Sequence, residues 1–202
     1  MTGQKLEAAC RAKAPAIMAK LLADFPISIE DAAAIVGNLG YESACFTQLQ
    51  EIKPVVKGSK GGYGWAQWTG PRRRDYEAYC RRNGLDPASD EANYKWLFVE
   101  LKGPEKHAIK AVVAADGLEA KVEAFERAYE RAGVKNYPQR NRWAREALFA
   151  FRTDGPLTFP PDAPLPTPRP AEKSVVKSKR FWTWLTTGGA GAGVLSGVAG
   201  LD

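Results

Sequence analysis

Two stretches hold residues with chemistry to offer. The first, Gly37-Asn38-Leu39-Gly40-Tyr41-Glu42-Ser43, ends in a carboxylate; the second, Gly61-Gly62-Tyr63-Gly64-Trp65-Ala66-Gln67-Trp68-Thr69-Gly70, gathers aromatic rings around one amide side chain. A carboxyl in the last turn of a helix sits near the negative end of the helix dipole. If it is also partly desolvated, both effects disfavour ionisation, and a carboxyl that keeps its proton near neutral pH is a usable general acid. Tyr63, Trp65 and Trp68 around Gln67 suit a polar ligand with apolar faces, and a sugar ring is such a ligand. The plainer alternatives are a solvated glutamate and a hairpin whose aromatics are ordinary core.

Positioning Glu42 requires a helix, and the sequence supplies one. Ser28 followed by Asp31 is a capping-box signature that starts it. Ile29, Ala32, Ala33, Val36 and Leu39 then recur at three- and four-residue spacing, which predicts a single apolar stripe with Glu42 beside it in the last turn. Gly58, Gly61, Gly62 and Gly64 favour tight turns and close backbone approach, so the aromatic segment reads as a β-hairpin across from the carboxylate.

Three motifs in this order carry a family resemblance. Gly-Asn-Leu-x-x-Glu-Ser, then Gly-x-Gly-Trp-Ala-Gln-Trp-Thr-Gly-x-Arg, then Phe-Glu-x-x-Tyr-Glu-Arg resemble the phage tail-lysozyme and endolysin family, a branch of the lysozyme-like fold acting on peptidoglycan, over residues 28–151. The resemblance implies that Glu42 is the catalytic glutamate and that Gly64, Gln67, Trp68 and Thr69 belong to the hairpin lining the sugar cleft. Phe125, Glu126, Tyr129 and Glu130 match the late helix that closes the domain. In the related T-even phage type of lysozyme an aspartate follows the glutamate after eight residues, and Glu51 holds that spacing here. Lys57 replaces the threonine of that pattern, so the match is partial. Glu51 is then either a second catalytic carboxylate or a solvated loop residue, and in the latter case Glu42 works alone, as in lytic transglycosylases.

Composition narrows the rest. At 202 residues the chain has room for one domain and an appendage, and its formal charge of +6 suits an anionic polymer without choosing among nucleic acid, cell wall and lipid. The cationic residues are dispersed and no nucleic-acid motif accompanies them, so no specific nucleic-acid partner is expected. Cys10, Cys45 and Cys80 are an odd number without CxxC spacing, which reads as free thiols made in a reducing cytosol. A single histidine, His107, cannot easily build a triad or a His-based metal site. It is expected on the surface, and no metal or other cofactor is called for.

The N-terminal segment mixes charges with apolar residues and has no signal-peptide pattern; Pro15 is expected to divide it into two helices. Arg72, Arg73 and Arg74 form either a binding run or a solvated face, with one arginine structural by the family pattern. Tyr94, Leu97, Phe98 and Leu101 mark one further helix; Leu118, Val122, Phe125 and Tyr129 another; Trp143, Ala147 and Phe151 the last. From Gly155 to Pro170 prolines dominate, an extended linker. Lys173, Lys177, Lys179 and Arg180 then precede an uncharged stretch from Phe181 to Leu201, with Trp182 and Trp184 at one end and Gly189, Gly193 and Gly197 at four-residue spacing. This predicts a tail that interacts with anionic membrane lipid, the alternative being a disordered tail.

The expectation is a mainly α, lysozyme-like (α+β) domain over residues 1–154 with one small β-hairpin, a Pro-rich linker over 155–170, and a basic, hydrophobic tail over 171–202. Its function would be that of a peptidoglycan-degrading endolysin, a monomer cleaving between N-acetylmuramic acid and N-acetylglucosamine, with Tyr63, Gln67 and Trp68 positioning the glycan. It would be made in the host cytoplasm and act in the periplasm and wall, delivered by something else. The competing readings are a lytic transglycosylase, a virion-associated or non-catalytic tail component, and a membrane-permeabilising protein acting through the tail.

Overall fold

The computed structural model describes residues 3–54 and 58–155. Within them lie seven α-helices: α1 (Gly3–Asp24), α2 (Ile29–Glu42), α3 (Gly70–Asn83), α4 (Asp90–Lys102), α5 (Lys106–Ala114), α6 (Leu118–Phe125) and α7 (Tyr137–Asp154). A π-helical turn, Glu126–Glu130, continues directly from α6. The linker beyond Gly155 and the tail read from the sequence lie outside the described residues, as does Lys57. Among the described residues no helix is long and apolar enough to cross a membrane.

The centre of the fold is α2. Its capping box is present: the Ser28 amide donates to Asp31 Oδ2 at 2.8 Å and the Asp31 amide to Ser28 Oγ at 3.1 Å. The single stripe expected for this helix is not what forms, because every residue from Asp31 to Gly40 is buried while Ile29 stays 40% exposed. The reason is enclosure by α1, α6 and α7. Small residues allow it: a β-carbon at Gly37 would lie 2.6 Å from both the β-carbon and the amide nitrogen of Ala144 on α7.

The expected break at Pro15 does not occur, and α1 runs through it unbroken. A proline inside a helix costs about 3 kcal/mol. Offsetting this, Cys10, Ala14, Ile17, Met18 and Leu21 form a fully buried face, and an aliphatic side chain contributes roughly 1.5–3 kcal/mol on burial.

No strand forms among the described residues, so the expected hairpin is reduced to two isolated antiparallel bridges, Gln50 with Tyr63 and Tyr63 with Trp68. Tyr63 exchanges both backbone hydrogen bonds with Trp68, at 3.0 and 2.8 Å, across a turn in which Gln67 has a φ of 46°. Immediately after Trp68, Thr69 caps α3, so the segment has no length in which to extend a ladder. The helix entry at Thr69-Gly70-Pro71 and the stop at Gly84, with φ 64°, form where the sequence places them. His107 is exposed and the three cysteines are buried free thiols.

Candidate active site

Glu42 is the last residue of α2, and its side chain is 19% exposed. Arg140, wholly buried on α7, approaches it with Nη2 at 2.5 Å from Oε1. The other arm of the same guanidinium donates to Asn38 Oδ1 at 3.0 Å. Asn38 is fixed in turn, because its amide nitrogen donates to the carbonyls of Ala34 at 2.9 Å and Val122 at 3.0 Å. Asn38 and Glu42 stand four residues apart on one face of α2, so one planar fork can reach both. The ring of Tyr41 lies 4.4 Å from the guanidinium carbon and covers it.

The chain leaves Glu42 by a left-handed path. Ala44, Cys45 and Phe46 have φ values of 45°, 54° and 65°, a conformation that costs roughly 1–2 kcal/mol per residue for side chains of this kind. Buried contacts hold it. Cys45 packs with Cys10 and Trp143, Phe46 meets the Trp65 ring edge-on at 5.2 Å, and Ser43 Oγ accepts from the Phe46 amide at 3.1 Å.

A second buried polar group joins the aromatic segment to the later helices. Arg72 of α3 grips Glu100 of α4 through two 2.8 Å hydrogen bonds, and Glu100 Oε2 also accepts from the Trp68 indole at 2.7 Å and the Tyr129 hydroxyl at 2.5 Å. Burial, then the charge of Glu100, push the Tyr129 hydroxyl well above its ordinary range, so it stays a donor. Arg72 also donates to the Tyr129 carbonyl at 3.3 Å. Of the three consecutive arginines, Arg72 is thus a structural clamp. Arg73 pairs with Glu77 on its own helix and ties α3 to the preceding loop through Gln50 and the carbonyls of Lys60 and Gly61.

Beside this clamp, at the end of the π turn, stands Glu130. Its Oε1 is buried with no hydrogen-bond partner. Burial first, and the charge of Glu42 second, push its carboxyl well above the usual carboxylate range, with Arg72 and Arg140 pulling the other way and Glu100 adding to the rise.

The other residues singled out by sequence are placed differently from one another. Glu51 Oε2 accepts from the Gly62 amide at 2.7 Å while its own amide donates to the Gly62 carbonyl, so Glu51 braces the loop. Trp68 is only 1% exposed, with its indole directed to Glu100, so its ring packs in the core. Gly64 is buried behind it; a β-carbon there would lie 2.4 Å from the Trp68 ring. Gln67 is half-buried and gives its amide hydrogens to the Leu49 and Gly64 carbonyls. Tyr63, also half-buried, packs under Arg73, and Thr69 is exposed.

Arg140 and Asn38 escape a reading of the sequence alone. Asn38 carries a signal there: it is the one polar side chain in an otherwise apolar run, one turn before Glu42. Arg140 carries none, since nothing separates it by spacing from Arg142 and Arg145.

The profile of one protein family, described as phage tail lysozyme, matches residues 12–151. Searches of curated proteins and of solved structures find no match.

Proposed function

The chain belongs to the phage tail lysozyme family, and from that premise we propose that it is a glycosidase in which Glu42 is the general acid. The bond cleaved lies between N-acetylmuramic acid and N-acetylglucosamine. Glu42 protonates the glycosidic oxygen, which leaves with the N-acetylglucosamine, as positive charge develops on the anomeric carbon of the N-acetylmuramic acid residue. The observation that carries this reading is the orientation of Glu42: a wholly buried arginine, itself held by Asn38, fixes one carboxylate oxygen and leaves the group part-exposed at a helix end. Such effort spent on one side chain is what a positioned acid requires, because proton transfer depends on geometry before pKa. Tyr63, Gln67 and Thr69, the members of the aromatic segment with exposed surface, are the ones we assign to glycan contact.

The test is release of soluble fragments from purified peptidoglycan by the wild type beside Glu42→Gln. Loss of a general acid lowers the rate by roughly 10²–10⁴-fold. A variant clearing walls at the wild-type rate removes Glu42 from the chemistry. Mass spectrometry of the products separates hydrolysis, which leaves reducing muramic ends, from transglycosylation, which leaves anhydro ends. The engagement of Glu51 with the Gly62 amide favours the latter as the second reading, since it leaves that carboxylate braced and not free to activate water. The endolysin role rests on the basic and apolar C-terminal sequence; the family's description favours a virion-borne enzyme, which assay of washed phage particles would detect.

A further inference from the structure

Arg140 is wholly buried and makes its side-chain hydrogen bonds through Nη1, to Asn38 Oδ1, and Nη2, to Glu42 Oε1. Its Nε is buried as well and has no hydrogen-bond partner. What covers the guanidinium is the ring of Tyr41, whose centroid lies 4.4 Å from the guanidinium carbon. A cation over an aromatic face is held by the ring quadrupole, more strongly where water is excluded. The ring is braced in turn, because Tyr41 packs against the buried cluster of Cys10, Cys45 and Trp143. Its hydroxyl makes no hydrogen bond among the described residues, so the face of the ring is what Tyr41 contributes here. Tyr41 occupies one of the two positions that the pattern Gly-Asn-Leu-x-x-Glu-Ser leaves open, and the motif therefore gives it no role.

The ring matters most when Glu42 is ready to act. A general acid must carry its proton, and a protonated Glu42 no longer offers the buried Arg140 a counter-charge. Glu130, on whose carboxyl Arg140 also acts, is pushed by burial toward its neutral form and supplies no charge in compensation. The attraction of an aromatic face, by contrast, is the same whether Glu42 is charged or not. An arginine has no acceptor, so the Glu42 oxygen that faces it is the one without a hydrogen. We propose that Tyr41 is a positioning residue for the glycosidase reaction: its ring keeps Arg140 on Oε1 while Glu42 is neutral, so that the proton stands on Oε2. The inference rests on the assignment of Glu42 as the acid. The step balances: the Oε2–H bond breaks with its electron pair left on Oε2, and the hydrogen bonds to the glycosidic oxygen. The C1–O bond breaks with its pair going to that oxygen, and C1 becomes oxocarbenium-like. The carboxylate so produced regains its ion pair with Arg140. The nucleophile that adds at C1, water or a sugar hydroxyl, releases one proton, which restores the acid.

The experiment uses the full chain, wild type beside Tyr41→Phe and Tyr41→Leu, with rates on soluble glycan strands referred to the folded fraction measured by circular dichroism. Tyr41→Leu, which keeps an apolar side chain against the cysteine cluster but has no ring, lowers kcat by about 10- to 30-fold, the size of a desolvated cation–π contact. KM stays in place, since Tyr41 acts on Arg140 and not on the glycan. Tyr41→Phe, which keeps the face and drops the hydroxyl, restores most of the rate. A second measurement needs no turnover. The Arg140 Nε–H signal in nitrogen-edited NMR, assigned through its contacts with the Asn38 side chain, persists in Glu42→Gln, where residue 42 is neutral, and vanishes when Tyr41→Leu is added. An unchanged kcat per folded molecule in Tyr41→Leu overturns the proposal, even if the melting temperature falls. So does a loss in Tyr41→Phe as large as in Tyr41→Leu, or an Arg140 signal that survives in the double variant. A wild type that releases no fragments refutes the glycosidase reading instead, and the NMR comparison then decides alone whether Tyr41 holds Arg140 beside an uncharged partner.

Discussion

Asp31 serves two elements at once. One oxygen closes the capping box of α2, and the other accepts from Lys121 of α6 at 2.7 Å, both side chains being nearly removed from solvent. Burial alone would raise its pKa, but the Lys121 ammonium and the Ser28 donors override that and hold the carboxyl below its ordinary value. A carboxylate with a depressed folded-state pKa contributes stability that is fully present above the unfolded value, near 3.9, and is lost as pH falls through the folded one. We therefore expect Asp31→Asn to cost about 3–5 kcal/mol at neutral pH, because a buried lysine is left without its partner. The gap between variant and wild type should begin to close as pH drops below about 4, where the unfolded chain takes up the proton, and should vanish once pH has fallen through the lowered folded value, where the native carboxylate also loses its charge. Urea unfolding of both proteins at neutral and at acid pH checks this, and a gap independent of pH would contradict it. The capping half of this arrangement is legible in the sequence, since Ser28 and Asp31 are three residues apart. The Lys121 half is not, being made across 90 residues, and the Arg140–Glu42 contact, across 98, escapes for the same reason. Local spacing reports what a helix does to its own residues and is silent about which distant side chain arrives.

At the scale of elements, the contact between α2 and α7 governs the site. Gly37 meets Ala144 backbone to backbone, and Arg140 sits one turn before Ala144 on the same helix. Adding a methyl group at Gly37 forces the helices apart, since the atoms it meets at 2.6 Å include backbone. Gly37→Ala should destabilise the fold by about 1–3 kcal/mol, the usual cost of overpacking, despite the higher helix propensity of alanine. Where the protein remains folded, it should also lose activity by displacing Arg140 from Glu42. Thermal melts alongside the fragment-release assay test both, and an undiminished melting temperature would show that the helices are free to separate there. Helix positions are largely readable from caps, glycine stops and apolar spacing, as at Thr69 to Gly84. Two faces are not. The buried side of α1 runs through Cys10, Ala14, Ile17, Met18 and Leu21, and small or sulfur-bearing residues among them blur its periodicity. The aromatic segment reads as a hairpin because its glycines favour tight turns. Here Trp65 and Trp68 are drawn into a helical core instead, and pairing stops after two bridges.

At the scale of the molecule, α1 packs on α2 and α7, so the first and last helices described close on the one that bears Glu42. Every residue that holds Glu42 in place lies before the end of α7, and we place the boundary of the catalytic domain at residue 155. A chain ending there should melt within about 2 °C of the full-length protein, the shift that a fraction of a kcal/mol produces at this size. It should release fragments from purified wall at the full-length rate. A markedly lower melting temperature would move the boundary into the proline-rich stretch. The mainly helical class is legible because caps and turn signals recur along the whole of this region, whereas the assembly of the site depends on which helices meet.

That assembly has a temporal side. Glu42 is synthesised early and Arg140 nearly a hundred residues later, on the last helix of the domain. If Glu42 is the acid, as proposed, then while the chain is still on the ribosome that acid exists but nothing aims it. Competence arrives only when α7 has emerged and docked, so an incomplete translation product carries the carboxylate in an unarmed state.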